Sequence, residues 1–486
     1  MTAVQSTQTS DPTQKTKEND ERLDLNQLFT AQQQAYASEP YLELTQRLAL
    51  LKQLKHQLLA YKKPLCQALH QDYGNRSQYD TLLSDILPCV QNINYTIKHL
   101  KRWLKPSKRH AGLLLMPAKL QVHYQPLGVV GIIVPWNFPV MLSIGPLIAA
   151  IAAGNRAMLK LSEFTPQTNQ VLRELLAKVF TPDYVAVVEG EADIAQAFSQ
   201  LPFHHILFTG STAVGHHVMH AAADNLTPVT LELGGKSPVV IAPDVPLELA
   251  VERLIFGKCL NAGQICVAPD YVLLPQEKIE EFISLFKQKY RTLYPHGITG
   301  QDFASIINQR QFDRLYHLLQ DAEAQGARIH PCHEPAIDFE GRRLAPHLIT
   351  NVSDQMAVME QEIFGPLLPL IPYQSQQQAI EFINQRPRPL ALYVMSFDPS
   401  WQQTFIYHTH SGGIAINDTV FHVAADDAPF GGIGPSGMGH YHGHEGFLTF
   451  SKAKTVLTKG KFSSGKFIFP PYGRWLQRLI LSIFLR

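Results

Sequence analysis

Leucines at 44, 48, 51, 54 and 58 fall on one helical face, and this periodicity predicts helices continuing to about Leu104, with a break near Asp72-Tyr73-Gly74. Residues 119–134 change to an extended pattern, and Gly128 to Val134 (GVVGIIV) reads as a strand buried on both faces. A helix rich in Ala and Leu starts near Val140 and stops at Gly154-Asn155, a residue pair suited to the left-handed turn that ends helices. Short strands follow at 157–161, 184–188 and 205–208, with a helix opened by Thr165-Pro166 after the first. Strands separated by helices predict a parallel, doubly wound α/β sheet.

Composition narrows the picture. A chain of 486 residues exceeds what one hydrophobic core usually supports, so two large domains are expected. The 42 basic and 41 acidic side chains nearly cancel, leaving no electrostatic footprint for nucleic acid. The basic run Lys101 to Arg109 (KRWLKPSKR) reads as a solvated helix end and loop. Five cysteines, at 66, 89, 259, 266 and 332, are odd in number and scattered, which argues against a disulfide framework and for a reducing cytoplasm. The first twenty or so residues are polar, rich in Thr, Gln and Ser. They predict a disordered segment over residues 1–22 rather than a secretory signal.

A doubly wound sheet binds ligands outside the carboxyl ends of its strands. There the turn Thr209 to Gly215 (TGSTAVG) opens a helix, and its small residues let backbone N–H groups approach a phosphate. Its spacing is not GxGxxG, so a plain strand-to-helix connection remains an alternative. Lys160 and Glu163 could hydrogen-bond a ribose diol from the donor and the acceptor side, or form a surface ion pair. Glu232 lies near the distance at which an acidic residue for the ribose is expected. Gly234 and Gly235 break the chain straight after it, so Glu232 ends a strand and is read instead as a general base or as a capping or salt-bridged carboxylate. Cys266 stands behind a Gly-Gln turn in FGKCLNAGQICVAPDY, the setting of a nucleophilic thiol as much as of a packed one.

Together these pieces resemble the aldehyde dehydrogenase superfamily. The matching motifs are Pro135 to Pro139 (PWNFP), Lys160 to Glu163 (KLSE), Phe208 to Gly215 (FTGSTAVG), Leu231 to Pro238 (LELGGKSP), Gly263 to Cys266 (GQIC), Glu362 to Pro366 (EIFGP) and Pro429 to Gly434 (PFGGIG). They occur in the family's order, and the resemblance covers nearly everything from about residue 25 to 460. APDY after the cysteine and the closing GMGHYHGHEGFLTFS resemble the class 3 branch, and PPYGRW resembles its bacterial coniferyl-aldehyde dehydrogenases.

The resemblance implies oxidation of an aldehyde to a carboxylic acid. Cys266 would carry hemithioacetal and thioester intermediates, Asn137 would hold the oxyanion with the Cys266 backbone N–H, and Glu232 would activate the hydrolytic water. Lys160 and Glu163 match adenosine-ribose contacts, Gly210, Ser211 and Gly215 a pyrophosphate turn, Glu362 with Phe364 the nicotinamide-side ribose contacts, and Trp136 the lining of the cofactor channel. Glu163 would repel a 2′-phosphate, which favours NAD, while Lys160 keeps NADP open. Phe138, Met141 and Phe430 flank the motifs and could line an apolar tunnel for aromatic or medium-chain aldehydes, or simply pack. The implied architecture is a doubly wound parallel-sheet cofactor domain (23–107 with 127–235), an α/β catalytic domain (236–441) and a small β bridging element (108–126 with 442–460). The last of these would join subunits of a homodimer.

Two features stand outside these motifs. His440, His442 and His444 alternate as they would along a strand, but no carboxylate or cysteine cluster completes a metal shell, so no metal is expected. Within residues 461–486, Arg474, Arg478, Ser482 and Arg486 form one stripe of a basic amphipathic helix opposite Trp475, Leu479 and Ile483. It is shorter than the ~20 residues that cross a bilayer, and could lie on a membrane surface or cover a substrate entrance, in a partner subunit for example. A cysteine hydrolase would need a histidine beside Cys266, a silent relative would lack the site residues, and a coenzyme-A-acylating enzyme would not need Glu232; none of the three fits this chain as well.

Overall fold

The computed structural model describes residues 12–461 and 464–485. Its first sheet has six strands, in the order Gly437–Met438, Val229–Glu232, His205–Thr209, Val129–Ile133, Arg156–Lys160 and Val185–Val188. The last five are parallel, and only Gly437–Met438 runs antiparallel, against Val229–Glu232. Chain order reverses between Val129–Ile133 and His205–Thr209, which places a ligand crevice at their carboxyl ends. The GVVGIIV run forms the central strand, and all five residues of Val129–Ile133 are buried. One face is covered by helices Leu44–Ala60, Leu87–Trp103 and Pro139–Ala153, the other by Pro12–Ser38, Ala192–Ser199 and Thr212–Ala223.

A second, seven-stranded sheet is parallel except at one edge, in the order Arg328–Pro331, His347–Thr350, Leu367–Tyr373, Tyr271–Pro275, Pro238–Ile241, Ala391–Met395 and Gly413–Ile416. Its core is the largest in the chain and includes Cys259, buried as an apolar packing residue. A third sheet has three antiparallel strands, Ser107–Arg109, Lys119–Pro126 and Ser451–Thr458, the last two paired from Ser451↔Pro126 to Thr458↔Lys119. This is the hairpin expected around 108–126 with a strand from beyond His442, and it leaves Ser451–Thr458 at a sheet edge.

Some expectations change. Residues 12–22, read as disordered, belong to helix Pro12–Ser38. Further along the same helix, Leu25 and Phe29 dock it by burial. Residues 1–11 of that segment lie outside the described residues. The early helices break at Tyr61 as well as at Gly74, where φ is 80°, and a π-turn at Leu82–Ile86 precedes Leu87–Trp103. The three histidines do not share a strand. His440 pairs with Glu445 at 3.3 Å, His442 stacks on Phe430, and His444 lies in helix Gly443–Thr449, stacked on Phe447. The terminal helix spans Trp475–Phe484; Arg486 of its proposed stripe lies outside the described residues. Among the described residues no helix is long and apolar enough to cross a membrane.

Candidate active site

Helix Leu247–Cys259 ends in a turn where Asn261, Ala262 and Gly263 are all left-handed, with φ of 49°, 52° and 75°. Two successive non-glycine residues in this region store backbone strain, as functional turns often do. The turn is over-determined from several sides. Gln264 bridges Asn261 O, Ser305 O and the Ile307 N–H, and a Cβ on Gly263 would meet Gly365 O at 2.5 Å. Cys266 follows, and from Asn261 to Pro275 it is the one residue that is not buried. That partial accessibility is what a reactive thiol requires and a packing thiol does not. The sulfur itself lies in a low-dielectric surround: burial first, then the carboxylates of Glu362 and Glu232, push its pKa up to about 12.

Glu232 is the last residue of strand Val229–Glu232, as its glycine neighbours predicted. Its carbonyl accepts from Gly210 N at 3.0 Å and its residue pairs with Gly437, so the backbone is fixed on both sides. The carboxylate is 3 % exposed, and neither oxygen has a hydrogen-bond partner. Burial holds its pKa well above the usual carboxylate range. An unpartnered buried carboxylate costs stability, and a base awaiting a water or substrate group is a reason to keep one. Among the described residues neither oxygen makes the hydrogen bond or ion pair that a capping or salt-bridged role would need.

Asn137 follows the central strand, and its side-chain amide donates to Gln264 O at 3.2 Å. One of its two N–H bonds is thereby used and the second is left for another acceptor. Its backbone carbonyl accepts from Arg76 Nη1 at 2.8 Å, the Tyr73 hydroxyl at 3.1 Å and Asn261 Nδ2 at 3.2 Å. Thus PWNFP and NAGQIC, 127 residues apart at the Asn137–Gln264 bond, are tied directly together.

The remaining residues line up along the strand ends. Lys160 and Glu163, Trp136, and Gly210 with Ser211 leave three adjacent parallel strands, a span of about 10 Å. Lys160 is buried and its ammonium donates to Leu161 O at 2.7 Å, while Glu163 stays half-exposed. Ser211 caps helix Thr212–Ala223; a Cβ on Gly210 would overlap the Phe208 ring, and one on Gly215 would overlap Leu233. Across the crevice Trp136 meets Phe364 edge to face, with centroids 5.3 Å apart. Phe364 has φ of 48°, and Arg314 clamps its loop through Glu362 O at 3.1 Å and Ile363 O at 2.6 Å. Asp270 accepts from Ile363 N and pairs with Lys236. The Glu362 carboxylate bonds Gly235 N, keeps Oε1 buried and unpartnered, and is pushed up to about 8 by burial. Donors at one end, a helix N-terminus in the middle and an unpartnered acceptor at the other fit a dinucleotide.

Of the three tunnel residues, Phe138 is buried beneath the Arg76 guanidinium, 5.0 Å from its ring centre, and has little surface for a substrate. Met141 and Phe430 are half-buried and pack against both main cores. The sequence reading missed Arg76, Asp85, Tyr73, Asn261, Gln264 and Arg314. Asn261 and Gln264 flank Gly263 within NAGQIC and were the most accessible of these signals; the others act from distant segments.

A doubly wound sheet with a ligand crevice at its carboxyl edge, joined to a second α/β sheet, has the architecture of a nucleotide-dependent α/β enzyme. Residues 2–456 match the model of the aldehyde dehydrogenase family. The chain belongs to that family and is an NAD(P)-dependent aldehyde dehydrogenase. It is 53% identical over 462 residues to a probable coniferyl aldehyde dehydrogenase of Pseudomonas aeruginosa, covering 95% of this chain and 96% of that one. The substrate-bound AldH of Staphylococcus aureus superposes with a TM-score of 0.90 at 37% identity, over 95% of this chain and 99% of that one. A betaine aldehyde dehydrogenase of the same species, solved with NAD+, gives 0.81 at 25% identity, over 90% and 89%.

Proposed function

We propose that the three central residues divide the chemistry as follows. The minor thiolate form of Cys266, its proton given up to solvent, attacks the aldehyde carbon, and the raised thiol pKa is the chief obstacle. The free N–H of the Asn137 amide and the Cys266 backbone N–H receive the developing oxyanion. When bound, the nicotinamide ring supplies the acceptor for the two electrons of the carbonyl C–H bond. Glu232 then takes a proton from water, the oxygen attacks the thioester carbon, and the C–S bond breaks to return the thiol and release the acid. The observation that carries this reading is the wholly unpartnered, buried Glu232 carboxylate coupled electrostatically to the one accessible residue of the 261–275 segment. Lys160, Glu163, Gly210, Ser211, Gly215, Trp136, Glu362 and Phe364 would hold the dinucleotide.

For the substrate we propose aromatic aldehydes of the coniferyl type. Phe430 supports this, because its ring stacks on His442 at 5.2 Å and lies where both cores meet, offering a flat apolar wall. Formation of reduced nicotinamide with aromatic and aliphatic aldehydes, NAD and NADP in parallel, tests this. A preference for long aliphatic aldehydes would overturn the substrate class, and silence with every aldehyde would overturn the site assignment.

We also read residues 23–107 with 127–235 as the cofactor domain, 236–441 as the catalytic domain, and the three-stranded sheet as the element that joins two subunits. Its unpaired edge strand would otherwise be an aggregation hazard. The terminal helix, with Trp475 75% exposed and Leu479, Ile483 and Phe484 also exposed, is read as covering a substrate entrance in the partner subunit of a cytoplasmic homodimer, with a membrane surface as the second reading of the same exposed face.

A further inference from the structure

Arg76 and Asp85 form an ion pair with Nη2 and Oδ2 2.8 Å apart and both side chains fully buried. The pair grips the two ends of one short segment. Arg76 Nη1 holds the carbonyl of Asn137, and Asp85 Oδ1 accepts from Val140 N at 3.1 Å and Met141 N at 3.0 Å, the first free N–H groups of helix Pro139–Ala153. Between them the guanidinium lies over the rings of Tyr73 and Phe138, each 5.0 Å away. The result is a closed circuit: guanidinium, Asn137 carbonyl, three peptide links to Val140 N, carboxylate, and back. Breaking such a buried pair is costly, yet well-packed apolar replacements of both partners are often no less stable. Stability alone is therefore a weak reason for its presence, whereas orientation of Asn137 is a specific one.

We propose that Arg76 is a positioning residue for aldehyde oxidation, acting through Asp85 and the Asn137 backbone to aim the Asn137 amide. The inference rests on the reading of Asn137 as the oxyanion donor. Planar, two-pronged binding is needed to hold a carbonyl and a carboxylate at fixed separation, and lysine does not supply it. A donor misplaced by about 1 Å can cost ~100-fold in rate.

The test is a double-mutant cycle between Arg76→Lys and Asn137→Ala, reading kcat, aldehyde KM and NAD dissociation constant. Arg76→Lys alone is expected to lower kcat about 10- to 100-fold, with NAD affinity within about twofold. In the Asn137→Ala background the same substitution should change kcat by less than about twofold, because its target is already gone. Should Arg76→Lys not fold, the cycle is run with Arg76→Met/Asp85→Leu, which leaves no buried charge unpaired. Equal losses in both backgrounds, or no loss in either, would overturn the positioning role while leaving the Asn137 reading intact. Full kcat in Asn137→Ala alone would overturn both.

Discussion

The Glu362 carboxylate rests directly on the α-carbon of Gly234, so that a methyl group there would overlap both carboxylate oxygens and their carbon. Gly234 therefore serves a side chain 128 positions later in the chain, one that also raises the Cys266 pKa. Gly234→Ala should push Glu362 out of place with two opposite effects. NAD affinity should fall about tenfold, ~1.4 kcal/mol, and alkylation of Cys266 at pH 9, above the Glu362 pKa of about 8, should become faster as a nearby negative charge retreats. Fluorescence titration with NAD and iodoacetamide kinetics read the two separately.

Alkylation also checks the thiol's environment. With the Cys266 pKa pushed up to about 12, the free enzyme holds almost no thiolate at neutral pH. The labelling rate should rise about tenfold per pH unit between pH 7 and 9 without a plateau. A plateau below pH 8 would mean that the thiol is not raised. Cys266→Ser should lose turnover by at least about 10⁴-fold while NAD still binds.

Glu232 gives a prediction in time rather than in affinity. Removing the base should leave oxidation running and slow hydrolysis of the thioester about 100-fold. Glu232→Gln should thus release one equivalent of reduced cofactor per active site in a stopped-flow burst, followed by a slow steady rate. Because burial raises the Glu232 pKa, the base form grows as pH rises. Wild-type steady turnover should therefore increase with pH on the alkaline side, and the variant should lose that rise. A simple loss of NAD affinity with no burst would return Glu232 to the ribose.

Much of this arrangement was legible in the chain because it is local. A strand buried on both faces needs the continuous apolar run GVVGIIV, and a strand that stops at Glu232 is announced by the two glycines behind it. The contact of Arg76 with the Asn137 carbonyl crosses 61 positions, and no periodicity encodes it. The early break at Tyr61 does carry a signal, Pro64 three residues beyond it, which the leucine periodicity running on to Leu65 masks. Likewise the polar N-terminal segment reads as disordered from composition alone, while the apolar residues that dock its helix, Leu25 and Phe29, come only further along.

The terminal helix can be removed without touching the site. Deletion of residues 474–486 should weaken self-association, seen as a lower mass by light scattering at low protein concentration, and leave NAD affinity unchanged. Lost co-sedimentation with anionic vesicles at unchanged mass would assign the exposed Trp475, Leu479 and Ile483 to a membrane surface instead.

Stability on the acid side should follow buried histidines. His205 sits inside the first sheet with Nε2 2.9 Å from the Thr230 hydroxyl, and burial lowers its pKa from 6.5 to about 4. His347, His422 and His442 are lowered to about 4 as well. Above pH 6.5 both folded and unfolded chains carry these rings neutral, so they cost nothing. As pH falls toward 4, the unfolded chain takes up the protons and the folded one does not, and His205 alone removes about 3 kcal/mol across the window. Asp80 works in the other direction: burial raises it from 3.8 to about 6, so it regains stability as pH falls through the same range. Glu232 and Glu362, and Asp72, Asp85 and Asp426, are likewise raised by burial and act with Asp80 against the four histidines, so the histidine contribution is read as a difference between variant and wild type. His205→Gln, which can keep the bond to Thr230, should raise the melting temperature at pH 4 relative to wild type while leaving the value at pH 7.5 within a few degrees of it. A slope unchanged by the substitution would mean that His205 is protonated in the folded sheet.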